Sequence, residues 1–149
     1  MSSSAVRHGS GARDVLAWFS WGATLGWMGV IFYLSSRTGI RVWSPLTYVA
    51  HFAEYFILTL LLCLALSLST DAGRGRLLLM ALLASSLYGV SDELHQAFVP
   101  TRDASVLDWV VDTAGAGTAV LLWRLGLTLR SSQVRVPSVY GHNRRSRQP

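Results

Sequence analysis

Apolar and polar residues come in long blocks along this chain. Residues 15–34 carry no charge, and residues 46–69 are apolar apart from a few polar positions near their start. Residues 77–99 and 106–127 repeat the pattern, with their polar positions gathered at the end of the first and the start of the second. About 20 apolar residues wound into a helix cross a hydrocarbon core roughly 30 Å thick. The pattern therefore predicts an all-α fold, an integral membrane bundle of four transmembrane helices. The first block is longer than the 7 to 15 residues of a signal-peptide core, and no A-x-A site closes it, so it reads as a span and not a cleaved leader. The division expected is a disordered leader over residues 1–13, a transmembrane domain over 14–127 and a disordered basic tail over 128–149.

Within the blocks, helical periodicity assigns faces. Gly22, Gly26, Gly29 and Tyr33 lie at offsets 0, 4, 7 and 11 and form a stripe where another backbone can approach. Asp108, Asp112, Gly115 and Ala119 repeat those offsets in the fourth block, a polar-then-small stripe expected to face the bundle. His51, Glu54 and Tyr55 share a face of the second helix, and Ser85, Tyr88, Gly89, Asp92 and Gln96 line one side of the third. Trp18, Trp21, Trp27, Trp43, Trp109 and Trp123 read as interface or lipid-facing anchors. Pro45 suits a helix start, and DAGRGR at 71–76 reads as a tight turn before a helix from Leu77.

Composition sharpens this. With 51% hydrophobic and 14% charged residues the chain falls well below the roughly one quarter charged that soluble domains carry. The net charge of +5 comes entirely from arginine on the basic side, and no basic helix face accompanies it, so no nucleic-acid partner is expected. The partner implied is the lipid bilayer. The lone Cys63 lies in an apolar run and offers no disulfide framework. Arg7, Arg13, Arg74, Arg76 and the tail residues Arg130, Arg135, Arg144, Arg145 and Arg147 fall on one side of a four-span topology; Arg37, Arg41 and Arg102 fall on the other. By the positive-inside rule both termini are expected in the cytoplasm of a multi-pass cell-membrane protein.

That topology draws the start of the second helix, the end of the third and the start of the fourth to the outer leaflet. His51, Glu54, Asp92, Glu93, His95, Gln96, Arg102, Asp108 and Asp112 then share one depth. Ionisable groups at a span's centre cost roughly 2.5 to 3.5 kcal/mol each, so five unpaired acids strain insertion by something on the order of 10 kcal/mol. Arg102, with Arg37 and Arg41, is the natural counter-charge. Three readings of the cluster stand side by side: a buried network that locks the helices, an outward-facing polar pocket that includes Tyr55, and a divalent-metal set of His51, Glu54, Asp92 and His95. For catalysis the candidates are Glu93 or Asp92 as general base with His51 or His95 as partner. A small proton-coupled transporter is a further class, but the inner half of the second helix is apolar, which counts against a path through one chain. Neither a cofactor nor a substrate is legible.

At these residues the chain resembles the VanZ-like family of small bacterial membrane proteins, named for an accessory factor in teicoplanin resistance. The elements that carry the resemblance are His51, Glu54 and Tyr55 in HFAEY, Asp92, Glu93 and Gln96 in SDELHQ, Phe98, Pro100 and Arg102 in FVPTR, and Asp108 with Gly115, over roughly residues 46–120. The resemblance implies an envelope role in glycopeptide resistance, with a lipid-linked envelope precursor or a lipoglycopeptide as partner, or an enzyme acting on such a precursor. One position departs from the pattern: four residues after its Asp the family usually has Asn, and here stands Asp112. Exchanging an amide for an acid alters both charge and donor capacity.

Overall fold

The computed structural model describes residues 10–38 and 44–133. Among these, four α-helices account for the architecture: α1 (Ser10–Ser35), α2 (Ser44–Ser69), α3 (Arg74–Gln96) and α4 (Val106–Gln133). All four are long and apolar enough to cross a membrane. Leu25, Phe19, Leu83, Leu87, Leu121 and many similar side chains are exposed on the outside of the bundle. In water such a surface would be an aggregation hazard, whereas lipid solvates it without cost.

α2 is the central helix. It packs most broadly on α4, then on α1 and α3, while α1 and α4 do not meet among the described residues. The approach of α2 to α4 is set by Gly115: a methyl built there would lie 3.1 Å from the Phe52 carbonyl carbon and closer still to its oxygen. The polar-then-small stripe of α4 thus faces the bundle as expected, with Asp112, Gly115, Ala116 and Ala119 all buried. The stripe on α1 does not. Beside Gly22, Gly26 and Gly29 an added methyl would meet nothing within 4 Å, and Tyr33 is exposed, so no helix among the described residues uses that face. A residue pattern records that two backbones can approach, not that a neighbour is present.

The apolar core is built from Ile31, Tyr55, Leu58, Leu62, Cys63, Leu77, Leu78 and Ala81. Polar contacts also join the helices. Thr59 Oγ1 donates to Ser85 Oγ at 2.8 Å between α2 and α3, and Tyr88 Oη donates to the Met28 carbonyl at 2.7 Å between α3 and α1. Several tryptophans expected to face lipid are also helix contacts. Trp27 Nε1 donates to the Glu54 carbonyl at 2.9 Å, Trp21 Nε1 to Ser69 Oγ at 2.8 Å, and Trp109 Nε1 to Ser86 at 3.2 Å. Trp123 packs against the core, and Trp18 keeps the exposed position expected of it. An indole offers a large apolar body with one donor, and inside a membrane a free carbonyl or hydroxyl on a neighbouring helix satisfies that donor as well as the headgroup region does.

The helices outrun the apolar blocks. α1 begins within the expected leader because Arg13 reaches the far end of α2, donating to the Leu68 carbonyl at 3.0 Å and pairing with Asp71 at 3.4 Å. α3 opens at Arg74, not Leu77: Gly73 takes the extended N-cap conformation and its carbonyl accepts from Leu77 N at 3.1 Å. α4 continues to Gln133, into the expected tail. The rest of the leader and tail, and Arg41 and Trp43, lie outside the described residues.

Candidate functional site

The end of α3 and the start of α4 are joined by a loop whose geometry places two functional side chains. After Gln96 the helix tightens, with Phe98 N donating to His95 O and Val99 N to Gln96 O, each at 3.0 Å. Pro100 then fixes the second position of a turn whose third residue, Thr101, sits at φ 71°, and Arg102 N closes it on Val99 O at 3.1 Å. A β-branched residue in the left-handed region is strained by about 1 to 3 kcal/mol, and the surroundings must hold it there. The turn throws Arg102 back across the end of α1, where its guanidinium donates to the carbonyls of Leu34 at 2.9 Å and Arg37 at 3.3 Å. The Leu34 carbonyl, in the last turn of α1, also accepts from Arg37 N at 3.2 Å, and Arg37 lies just beyond the helix. Arg102 is thus a cap for α1, and it makes no ion pair with any carboxylate among the described residues, contrary to the counter-charge expected of it. Arg37, the second expected counter-charge, bonds Tyr33 Oη at 2.7 Å and lies over that ring.

The loop also ties Glu93 to α4. Ser105 caps that helix, its Oγ accepting from Asp108 N at 3.2 Å, while its own N–H donates to Glu93 Oε2 at 2.6 Å. In a capping box the third helical residue returns that second bond; here a carboxylate from another helix supplies it. Ser105 was not singled out by periodicity, although Ser-x-x-Asp before an apolar run is a helix-start signal that could have found it.

The counter-charge to the acids is His51. Its Nδ1 lies 3.0 Å from Asp112 Oδ1, and its Nε2 lies 4.0 Å from Asp108 Oδ2. Asp112 is 0% exposed and His51 6%, so this pair between α2 and α4 is shielded from solvent. Periodicity had put His51 beside Glu54 on one face of α2; its bonded partner comes instead from the helix that Gly115 lets in. Asp92 and Gln96 are a local pair on α3, with Gln96 Nε2 donating to Asp92 Oδ2 at 3.0 Å. Tyr55 is fully buried beneath them.

His95 takes no part in this group. It faces α1, stacking on Phe32 with ring centroids 4.4 Å apart and sharing a 2.9 Å hydrogen bond between Nε2 and Ser36 Oγ. Nor do His51, Glu54, Asp92 and His95 form a ligand set. The group of metal-competent residues among those described is His51, Glu93 and Asp112, one from each of α2, α3 and α4.

On the outer side of His51 a cavity of about 260 Å³ opens between α1, α2 and α3. Its apolar wall is Leu34, Leu46 and Ala50, and its polar wall is Ser35, His51, Glu54, Asp92, Gln96 and Arg102. Five buried polar atoms in this region have no hydrogen-bond partner among the described residues: Ser35 Oγ, Tyr55 Oη, Asp92 Oδ1, Glu93 Oε1 and Asp112 Oδ2. Buried polar groups normally find partners, so such a concentration marks a place prepared for something other than packing. Chemically the site can hold a cation, accept hydrogen bonds from a ligand, or move a proton through an imidazole oriented by a carboxylate.

Four helices long and apolar enough to cross a membrane, with acids and an imidazole buried at one end, define a multi-pass membrane protein. The chain belongs to the VanZ/LLP1 family, whose model matches residues 18–128. The match takes in about two thirds of α1, residues 18–35, beyond the stretch whose motifs carry the resemblance. No curated protein and no solved structure matches the chain.

Proposed function

We propose that this protein is an accessory factor of the cell envelope that lowers susceptibility to teicoplanin-type glycopeptides by engaging a lipid-linked envelope precursor, or the lipoglycopeptide itself, in the cavity beside His51. The observation that carries the reading is the cavity's two-sided wall. Leu34, Leu46 and Ala50 suit an acyl or prenyl chain, while Glu54, Asp92, Gln96 and Arg102 offer polar partners at one depth. An amphiphile partly in lipid needs both. Cells expressing the wild-type chain are expected to tolerate more teicoplanin than cells with an empty vector, and Glu54→Gln or Asp92→Asn at matched membrane levels is expected to remove the difference. Equal protection by all three proteins would separate the cavity from the phenotype, and no protection by the wild type would end the resistance reading.

The reading requires this end of the bundle to face outward, with both termini in the cytoplasm. The arginines of α1's start, the α2–α3 turn and the C-terminal region support that orientation. Because Cys63 is the native thiol, a Cys63→Ala background allows single-cysteine mapping. A cysteine at position 103 is expected to react with an impermeant maleimide in intact cells, and one at position 71 only after permeabilisation; the reverse pattern would invert the topology.

A second reading, an enzyme acting on a lipid-linked precursor, is favoured by one specific feature. Asp112 orients His51, and His51 also lines the cavity, the arrangement by which a carboxylate prepares an imidazole for proton transfer. Turnover of a precursor lost in His51→Gln, with folding intact, would distinguish it from simple binding.

A further inference from the structure

Behind the cavity wall, Glu93 and Asp112 come together with His51 in a place that the cavity reading does not use. Each of the three offers one ligand atom, and these atoms lie within 4.8 Å of one another. Glu93 is 8% exposed and Asp112 0%, and each keeps one carboxylate oxygen with no partner among the described residues, Glu93 Oε1 and Asp112 Oδ2. Among the described residues no guanidinium pairs with either acid. Glu54, Asp92 and Asp108 bring further carboxylates to the same end, against one imidazole.

We propose that His51, Glu93 and Asp112 bind a divalent transition-metal cation that clamps α2, α3 and α4 together. The spacing fits. Metal–nitrogen and metal–oxygen bonds run about 2.0 to 2.2 Å, so neighbouring ligands of a tetrahedral ion lie about 3.4 Å apart, and the widest pair of the trio has to close by up to about 1.4 Å, a distance that side-chain rotation covers. The 3.0 Å between His51 Nδ1 and Asp112 Oδ1 is already that of neighbouring ligands. The proton that links them without a cation leaves when the ion enters, as ligand chemistry requires. Asp108, 4.0 Å from His51 Nε2, is near enough to move onto the far nitrogen of a metal-bound imidazole. One nitrogen and two carboxylates favour an ion such as Zn2+ or Mn2+ over the all-oxygen sites of Ca2+ and Mg2+. The ion adds positive charge beside carboxylates that no guanidinium pairs with among the described residues. The proposal stands whatever fills the cavity.

The test is metal analysis and titration of the full-length protein in detergent. Wild-type protein purified without chelator is expected to carry about one equivalent of a divalent transition metal per chain, and stripped protein to rebind Zn2+ with release of a proton. Glu93→Gln, Asp112→Asn and His51→Gln are each expected to weaken Zn2+ binding by about a hundredfold or more, and Asp108→Asn by roughly ten- to a hundredfold. Asp71→Asn, an exposed acid at the opposite end, leaves binding unchanged. Absence of saturable Zn2+ or Mn2+ binding by the wild type overturns the proposal, as does binding that survives both carboxylate substitutions. If a variant does not fold, the visible spectrum of the wild-type Co2+ form decides: bands of a nitrogen-and-carboxylate ligand set support the site, and the spectrum of the hydrated ion overturns it.

Discussion

His51→Leu is expected to destabilise the chelator-treated protein by about 3 to 5 kcal/mol, because it leaves Asp112, itself fully buried, without its hydrogen-bonded partner. Polar contacts between membrane helices average only about 0.6 kcal/mol, and that smaller figure applies where a group losing its partner finds another. Around Asp112 the nearest alternatives are Asp108, Glu93 and Asp92, which repel an anion, and the Tyr55 hydroxyl, which hydrogen-bonds to nothing among the described residues. The loss should therefore fall nearer the cost of a stranded buried charge. Asp112→Asn in the same background removes that charge, and the double variant His51→Leu/Asp112→Asn is expected to recover about 2 kcal/mol or more relative to the sum of the single effects. Detergent unfolding of the four proteins, followed by helix content, gives the coupling directly. A value below about 0.5 kcal/mol would mean that the pair does not hold α2 to α4. The acid at position 112 can form an ion pair with a protonated imidazole, which an amide cannot.

Gly115→Val is expected to cost about 3 kcal/mol or more and Gly115→Ala about 1 to 2 kcal/mol, the second reduced by the gain of about 1 kcal/mol that Ala brings to a helix over Gly. The obstruction is the Phe52 main chain, so no rotamer change relieves it, and α2 and α4 must separate. Separation also draws His51 from Asp112, since both pairs lie across the same interface. Loss of stability in Gly115→Val should thus come with loss of metal binding. Gly26→Ala and Gly117→Ala add a methyl where nothing lies within 4 Å and are expected to stay within about 0.5 kcal/mol of wild type. Thermal unfolding of the same four variants checks the series, and equal effects at positions 26 and 115 would refute close packing at Gly115.

Much of this site is legible because helices at known depth leave few choices. The spans follow from block length and hydropathy, and the spacing of Asp108, Asp112, Gly115 and Ala119 assigns the packed face of α4 correctly. The same logic fails for α1, where Gly22, Gly26 and Gly29 face outward: a periodic stripe says which residues share a face but not which helix, if any, lies against it. Arg102 shows a second limit. Charge complementarity points to the acids, yet the turn at Pro100 and Thr101 delivers the guanidinium to the carbonyls of Leu34 and Arg37 at the end of α1, and a loop's backbone conformation is not written in hydropathy. Trp109 shows a third, since an indole satisfied by Ser86 and one satisfied by headgroups have the same sequence signature.

From the sequence alone follow the four membrane-crossing helices, the gathering of His51, Glu54, Asp92, Glu93, Gln96, Asp108 and Asp112 at one end, and the family. These depend on the transfer of each residue into lipid and on the 100° step of a helix, which are local properties. The partner of each polar group was decided by tertiary structure: His51 with Asp112 and not Glu54, Glu93 with Ser105, Arg102 with Leu34, His95 with Ser36. Those choices depend on how far each helix turns about its axis and how closely two axes approach. Side-chain contacts summed over the whole interface set both, above all the meeting of Gly115 with the backbone of Phe52.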